Sequence, residues 1–303
     1  MKKTVIVVGT KDDYQSVHVY NNLLKFGCVP VMFDTRLFPS ELTFSYNVLT
    51  PMSGYFKFND SNQVFEISSV SGAYYRWFKG ILRSNTMTYE EELDYWNNES
   101  SLNSFLRMLD CKWVNTPDAS KMHTYKPLHL KKMKIAGIKL PDTTITNDLN
   151  LINHLKNSGD KFIFKPVRGW DSPKLLDDEK SYEEMIPRLS KVSFTVQKYI
   201  EGTDLRVYVV GNEIYPVEII STDIDSREGE SEHKRTVLPP DICEVCLQIT
   251  SALGLYFSAI DMKRTKDGEY YVLEANATPI YVNDEDICGY PITQKICEYL
   301  VSE

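Results

Sequence analysis

Read as a pattern of apolar and polar positions, the chain opens strand-helix-strand. Residues 4–8 read as a buried-type strand. Residues 14–26 carry Val17, Tyr20, Leu23 and Leu24 at helical spacing and stop at Gly27, and 29–34 form a second strand. That order predicts a parallel layer with a crossover helix. Residues 42–70 alternate over short stretches broken by turns. Residues 73–79 form an aromatic strand with Arg76 and Lys79. Two readings fit it: a half-buried strand whose cations reach out to water, or a pair of substrate-facing cations. Residues 89–109 have a helical period.

Further on, Asp118 caps a helix, and a second runs from Lys126 to Ile135 and ends at Gly137. A strand near 140–144, a helix over 148–157 and a strand over 161–166 follow. Residues 194–200, 205–210 and 213–220 read as strands, the last two joined by a hairpin at Gly211-Asn212. Residues 221–235 are polar and charged, which predicts a mobile loop. Pro239-Pro240 opens a helix closed by Gly254, and 292–301 is a terminal helix.

Residues 259–276 predict a β-hairpin. With Asp267-Gly268 as a two-residue turn, Lys266 faces Glu269 and Asp261 lies opposite Glu274, with Asn276 on the same face as Glu274. Ile260, Met262, Leu273 and Ala275 then mark the buried face, and Val272 falls on the acidic one. Opposed carboxylates repel one another, and a divalent cation between them removes that cost. Two carboxylates and an amide oxygen are hard donors suited to magnesium bridging to nucleotide phosphates. A solvent-facing acidic hairpin gives the same pattern, so the pattern alone leaves both readings open.

The length of 303 residues predicts two or three structural units. A net charge of −8 argues against general binding of nucleic acid, so any phosphate must sit in a local basic pocket. The start Met1-Lys2-Lys3 leads into a short strand and not a signal peptide, and no apolar run is long enough to span a bilayer. The six cysteines are scattered. Cys243 and Cys246 share a helical stretch and have no second pair at zinc spacing. A reduced, cytoplasmic protein without a membrane partner is expected. After the first strand stands only Gly9, so the layer is Rossmann-like with no dinucleotide fingerprint.

Taken together, the motifs resemble the ATP-grasp superfamily, in particular its RimK-like carboxylate-amine ligases and the maturases of graspetide peptides. The resemblance covers about residues 115 to 300. Lys126 with the Gly137–Thr143 exit is similar to the family's first lysine and helix, and Phe164-Lys165-Pro166 to its second lysine. Gln197, Lys198, Tyr199, Ile200 and Glu201 look like the segment whose backbone reads adenine and whose acid holds ribose. Asp204-Leu205-Arg206 with Val209-Val210-Gly211 resembles the strand whose arginine meets phosphate. Asp261, Glu274 and Asn276 match the magnesium ligands in identity, order and spacing, which favours the metal reading of the hairpin. More loosely, Phe33-Asp34-Thr35 and Tyr75-Arg76-Trp77 resemble the first domain of graspetide ligases, and residues 223–227 a substrate-loop element.

The resemblance implies an α/β chain with α+β lobes: an ATP-grasp fold behind an N-terminal Rossmann-like pre-ATP-grasp domain. The expected division is 1–117, 118–193 and 194–303. It implies ATP and Mg2+ as cofactors, a peptide or small-molecule carboxylate as substrate, and a possible homodimer, since many relatives pair. The implied reaction activates a carboxylate as an acyl phosphate, which an amine or hydroxyl attacks. Arg206 would meet phosphate, and Arg227 or a cation among 233–235 would meet the oxyanion. Three departures stand out: a single glycine (Gly169) in the loop after Lys165, Ala277-Thr278-Pro279 after Asn276, and Lys198 where an acid is frequent. A kinase on the same scaffold, a non-catalytic ATP-binding regulator and a dehydrogenase are the rival readings.

Overall fold

The structure is a computed structural model and describes residues 2–60, 63–78, 86–169, 172–221 and 231–302. Lys79, Asp223 and Arg227 lie outside them. Two compact units are present, Met1–Ser120 with Thr278–Glu303, and Lys121–Ala277.

In the first unit, β1 (Thr4–Val8), α1 (Tyr14–Leu23) and β2 (Val29–Phe33) follow the predicted order. Asp13 caps α1 by accepting the Ser16 amide at 2.7 Å. The region 42–70 holds β3 (Leu42–Asn47), β4 (Thr50–Phe58) and β5 (Val64–Glu66), an antiparallel sheet in that order. β6 (Val70–Tyr75), α2 (Tyr89–Met108) and β7 (Lys112–Val114) complete a parallel sheet ordered β2-β1-β6-β7. A reciprocal cap between Thr88 and Glu91 starts α2. Phe105 of that helix stacks on Phe33 at 5.7 Å and on Phe44 at 4.6 Å, joining the two sheets in one core. α3 (Pro117–Met122) follows.

Arg76 fits neither of its two readings. It is 3% exposed, lies over the Trp77 ring and pairs with Asp13 at 3.4 Å. It also donates to the carbonyls of Thr278 and Pro279. A buried guanidinium needs such partners, so this cation does structural work within its unit.

The second unit begins with α4 (Lys126–Ile135), which Gly137 ends at φ +84. β8 (Thr143–Thr146), α5 (Leu149–Lys156), β9 (Phe162–Pro166), β10 (Lys174–Leu175), α6 (Glu179–Met185) and β11 (Phe194–Lys198) follow. Their sheet runs β10-β9-β11-β8, and Ile152, Phe164, Phe194 and Val196 belong to its core. A second sheet, ordered β14-β13-β12-β15-β16, holds β12 (Thr203–Val210), β13 (Glu213–Ile220), β14 (Glu232–Arg235), β15 (Phe257–Arg264) and β16 (Tyr270–Asn276). α7 (Pro240–Ala252) packs on it through residues that include buried Cys246 and Ile249. Burial pushes the Cys246 thiol up to about 12, as for an inert core residue. The chain ends with α8 (Val282–Cys288) and α9 (Ile292–Val301), which belong to the first unit, α9 packing against α1, β6 and β7.

Two expectations need correction. Residues 232–235, read as part of a mobile loop, form the edge strand β14 against β13. The second concerns the hairpin, where Asp261 does face Glu274, by a different route from the one expected. Thr265 pairs with Glu269 around a three-residue loop, with Gly268 at φ +83. That loop sets Met262 opposite Val272, and a bulge between Asp261 and Met262 then restores Asp261 to its place opposite Glu274. Its consequence is an exchange of faces. Val272 is 2% exposed in the core, while Leu273 joins Glu274 in lining a pocket. Gly268→Ala meets no neighbouring atom but forces a left-handed alanine, so we expect a loss of about 1–2 kcal/mol, read from urea denaturation.

Candidate active site

The bulge and the strand register build one cross-strand row. Arg206 on β12 pairs with Asp261 on β15, which pairs with Glu274 on β16. The Arg206 fork holds Asp261 through two bonds, Nε to Oδ1 at 2.7 Å and Nη2 to Oδ2 at 3.0 Å. Continued the other way, the row passes Val217 on β13 and reaches Arg235 on β14. His233 shares the face of Arg235 because strand side chains alternate, whereas Lys234 points the other way and pairs with Glu218 at 3.3 Å.

Helix α4 and the other sheet of the unit supply one lysine each. Lys126, the first residue of α4, donates to Glu274 at 2.6 Å. Lys165 sits near the end of β9 in a row with Thr195 and Ile145, and these three line one pocket with Lys126, Leu273 and Glu274. Gln197 is 1% exposed; its amide donates to Thr143 Oγ1 at 2.8 Å and accepts from Lys165 at 3.5 Å. Through that relay Lys165, which follows the apolar run Phe162-Ile163-Phe164, has a polar partner. Gly169, the glycine of the following loop, stands at φ +92 with its missing side chain 3.1 Å from Lys126 Nζ, so the loop reaches the same lysine. Burial alone would raise the Glu274 carboxyl, but the charges of Lys126 and Lys165 outweigh it and hold it at about 2.

Other expected nucleotide contacts are engaged elsewhere. Lys198 pairs with Asp160 at 2.8 Å, Glu201 with Lys266 at 3.0 Å and Asp204 with Lys263 at 2.7 Å. The Lys198 and Tyr199 amides donate to the carbonyls of Asp142 and Lys161. Glu201 and Asp204 line a second, polar pocket with Arg264 and Lys266. Sequence reasoning passed over two histidines. His123 Nδ1 lies 3.0 Å from the Ala275 carbonyl, and its ring meets His129 edge-on at 5.6 Å. Burial lowers both imidazoles, His129 to about 4. Their spacing from Lys126 carries no known metal or catalytic pattern, so no sequence signal marked them.

The ATP-grasp domain model matches residues 119–280, more than half of the chain. The chain belongs to the ATP-grasp family. It is 28% identical over 205 residues to the D-alanine–D-alanine ligase of Aquifex aeolicus, covering 61% of this chain and 69% of that one. Across the D-alanine–D-alanine ligase, the N-acetylaspartylglutamate synthases A and the alpha-L-glutamate ligases it matches, the aligned stretch spans 54 to 69% of their length. Those relatives are ligases and synthases, alpha-L-glutamate ligases among them. Over 99% of both chains the fold matches that of the ATP-grasp ligase PsnB, complexed with minimal precursor, at a TM-score of 0.85 and 24% identity. The macrocyclase MdnC from Microcystis aeruginosa MRC, bound with precursor peptide MdnA, matches at 0.84 and 22%, over 99% of this chain and all of that one. ATP is the nucleotide of the ATP-grasp family. No helix among the described residues is long and apolar enough to cross a membrane.

Proposed function

We propose that this chain is an ATP- and Mg2+-dependent ligase that joins a carboxylate to an amine or hydroxyl, with a peptide as its substrate. The observation that carries this reading is the Arg206–Asp261–Glu274 row with Lys126 bonded to Glu274 and Lys165 in the same pocket. Three cations and two carboxylates suit a polyphosphate with a hard divalent ion. The peptide preference draws on the likeness to PsnB and MdnC, whose structures hold precursor peptides.

Asp261, Glu274 and Asn276 offer hard oxygens on one face, a donor set that fits Mg2+ and disfavours soft metals. The described residues hold no separate cluster of three or more His, Cys, Asp or Glu for a metal. Magnesium, when bound there, would neutralise phosphate oxygens. Lys126, Lys165 and Arg206 would hold phosphates, and Gln197 would keep Lys165 aligned. With the Lys198 and Tyr199 amides already bonded, Ile200 is the backbone donor we assign to the base, and Leu273 its apolar support. Glu201 and Asp204 would reach ribose by leaving their lysine partners.

The substrate carboxylate oxygen takes the γ-phosphoryl group and ADP leaves. The amine or hydroxyl then bonds to the acyl carbon, the C–O bond to phosphate breaks, and the nucleophile's proton is lost to solvent or to the departing phosphate. Arg235, in the row of the reacting groups, is the cation we assign to the substrate carboxylate and the oxyanion. Arg227, which lies outside the described residues, is the other cation that the resemblance implies for this role.

Intact-mass analysis tests the reading. The enzyme is co-expressed with any short acidic or Ser/Thr/Lys-rich peptide encoded beside it, with Glu274→Gln as control. Loss of one or more waters, absent in the control, is the expected result. Gain of an amino-acid residue would mean an adding ligase, and gain of phosphate would favour the kinase. An unchanged peptide would remove the case for peptides over small carboxylates.

A further inference from the structure

Among the described residues β16 is the last strand of its sheet, so its outer edge has no neighbouring strand to satisfy it. The chain around α4 ties onto that edge at two points. Before the helix, His123 Nδ1 meets the Ala275 carbonyl at 3.0 Å; beyond it, the Val272 amide donates to the Lys139 carbonyl at 3.0 Å. Between these ties lies Glu274, bonded to Lys126, the first residue of the helix. A carbonyl only accepts, so the ring proton sits on Nδ1. His129, 3% exposed and edge-on to the ring, fixes the orientation of His123.

We infer that His123 is a positioning residue of the phosphate site, its Nδ1–H holding the Ala275 carbonyl so that Lys126 is set against the strand that carries Glu274 and Asn276. The inference rests on the proposed function of that site. His123 borders the pocket of Lys126, Lys165 and Glu274, and the role inferred for it is exerted through Lys126 and the strand. Partners that orient a site's ligands from behind are where small misplacements become losses of affinity.

The test compares His123→Ala, His123→Asn and His123→Gln with the wild-type chain. Asparagine presents an amide N–H near the place of Nδ1, glutamine near that of Nε2. The readouts are calorimetric binding of ADP with Mg2+, the split between kcat and the KM for ATP, and the thermal midpoint. Alanine is expected to weaken Mg·ADP binding by about 10-fold or more, and asparagine to restore it to within about threefold while glutamine does not. Unchanged binding in the alanine variant overturns the inference. So does any pattern in which asparagine fails to restore binding or glutamine restores it equally, since bulk or Nε2 would then be what matters. Lys126→Ala serves as the separate control: if it binds Mg·ADP as tightly as wild type, the reading of the site falls, and this inference with it.

Discussion

Glu274→Gln is expected to lower ligase turnover by on the order of 10²–10³ while leaving the chain folded. The amide keeps the shape of the side chain and removes its charge. Lys126, 2.6 Å away, loses its counter-charge, and the donor set with Asp261 and Asn276 loses a hard anionic oxygen. Turnover is read as ADP release, and folding as far-UV circular dichroism. A variant with more than about a tenth of wild-type turnover would remove Glu274 from the machinery. The same carboxyl predicts an acid dependence. Its pKa is held at about 2 in the folded chain, below the ordinary carboxylate range. A depressed carboxyl adds stability that is complete above its unfolded pKa and is lost as pH falls toward the folded value. The stability difference between wild type and Glu274→Gln should therefore shrink as pH drops from about 4.5 toward about 2, measured by urea midpoints. Glu274 of the free enzyme should also contribute no acid limb to a rate profile above pH 4.

Arg206→Ala is expected to cost on the order of 10³ in turnover, the scale of an arginine lost from phosphoryl transfer. Here the guanidinium holds Asp261 through both of its oxygens, so its removal also leaves a half-buried carboxylate with less compensation. Arg206→Lys keeps the charge but not the fork, and should recover only part of the loss. Because the two residues act as one unit, Arg206→Ala with Asp261→Asn should cost clearly less than the sum of the single losses. Strict additivity would mean that the pair does not work as a unit.

Most elements, and the candidates for the site, were legible in the local pattern. Helical spacing and a terminal glycine located α4, and strand periodicity located β12, β13 and the hairpin. These signals are local, so they survive without tertiary context. The pairing of Asp261 with Glu274 was also legible, although the assumed turn was one residue short and the assumed strand had no bulge; the two errors cancelled. They did not cancel for Val272 and Leu273, because an inserted residue flips every side chain on one side of it.

Tertiary structure decided what depends on residues far apart in the chain. It put Arg235 in the row of Arg206 and Lys234 on the opposite face, by the register of an edge strand that its polar composition had hidden. It gave Gln197 to Lys165, His123 to Ala275, and Arg76 to two carbonyls distant by more than 200 positions. It also assigned the terminal helices to the first unit. Local pattern says which face of an element is apolar, and not which other element will cover it or which buried charge will find its partner there.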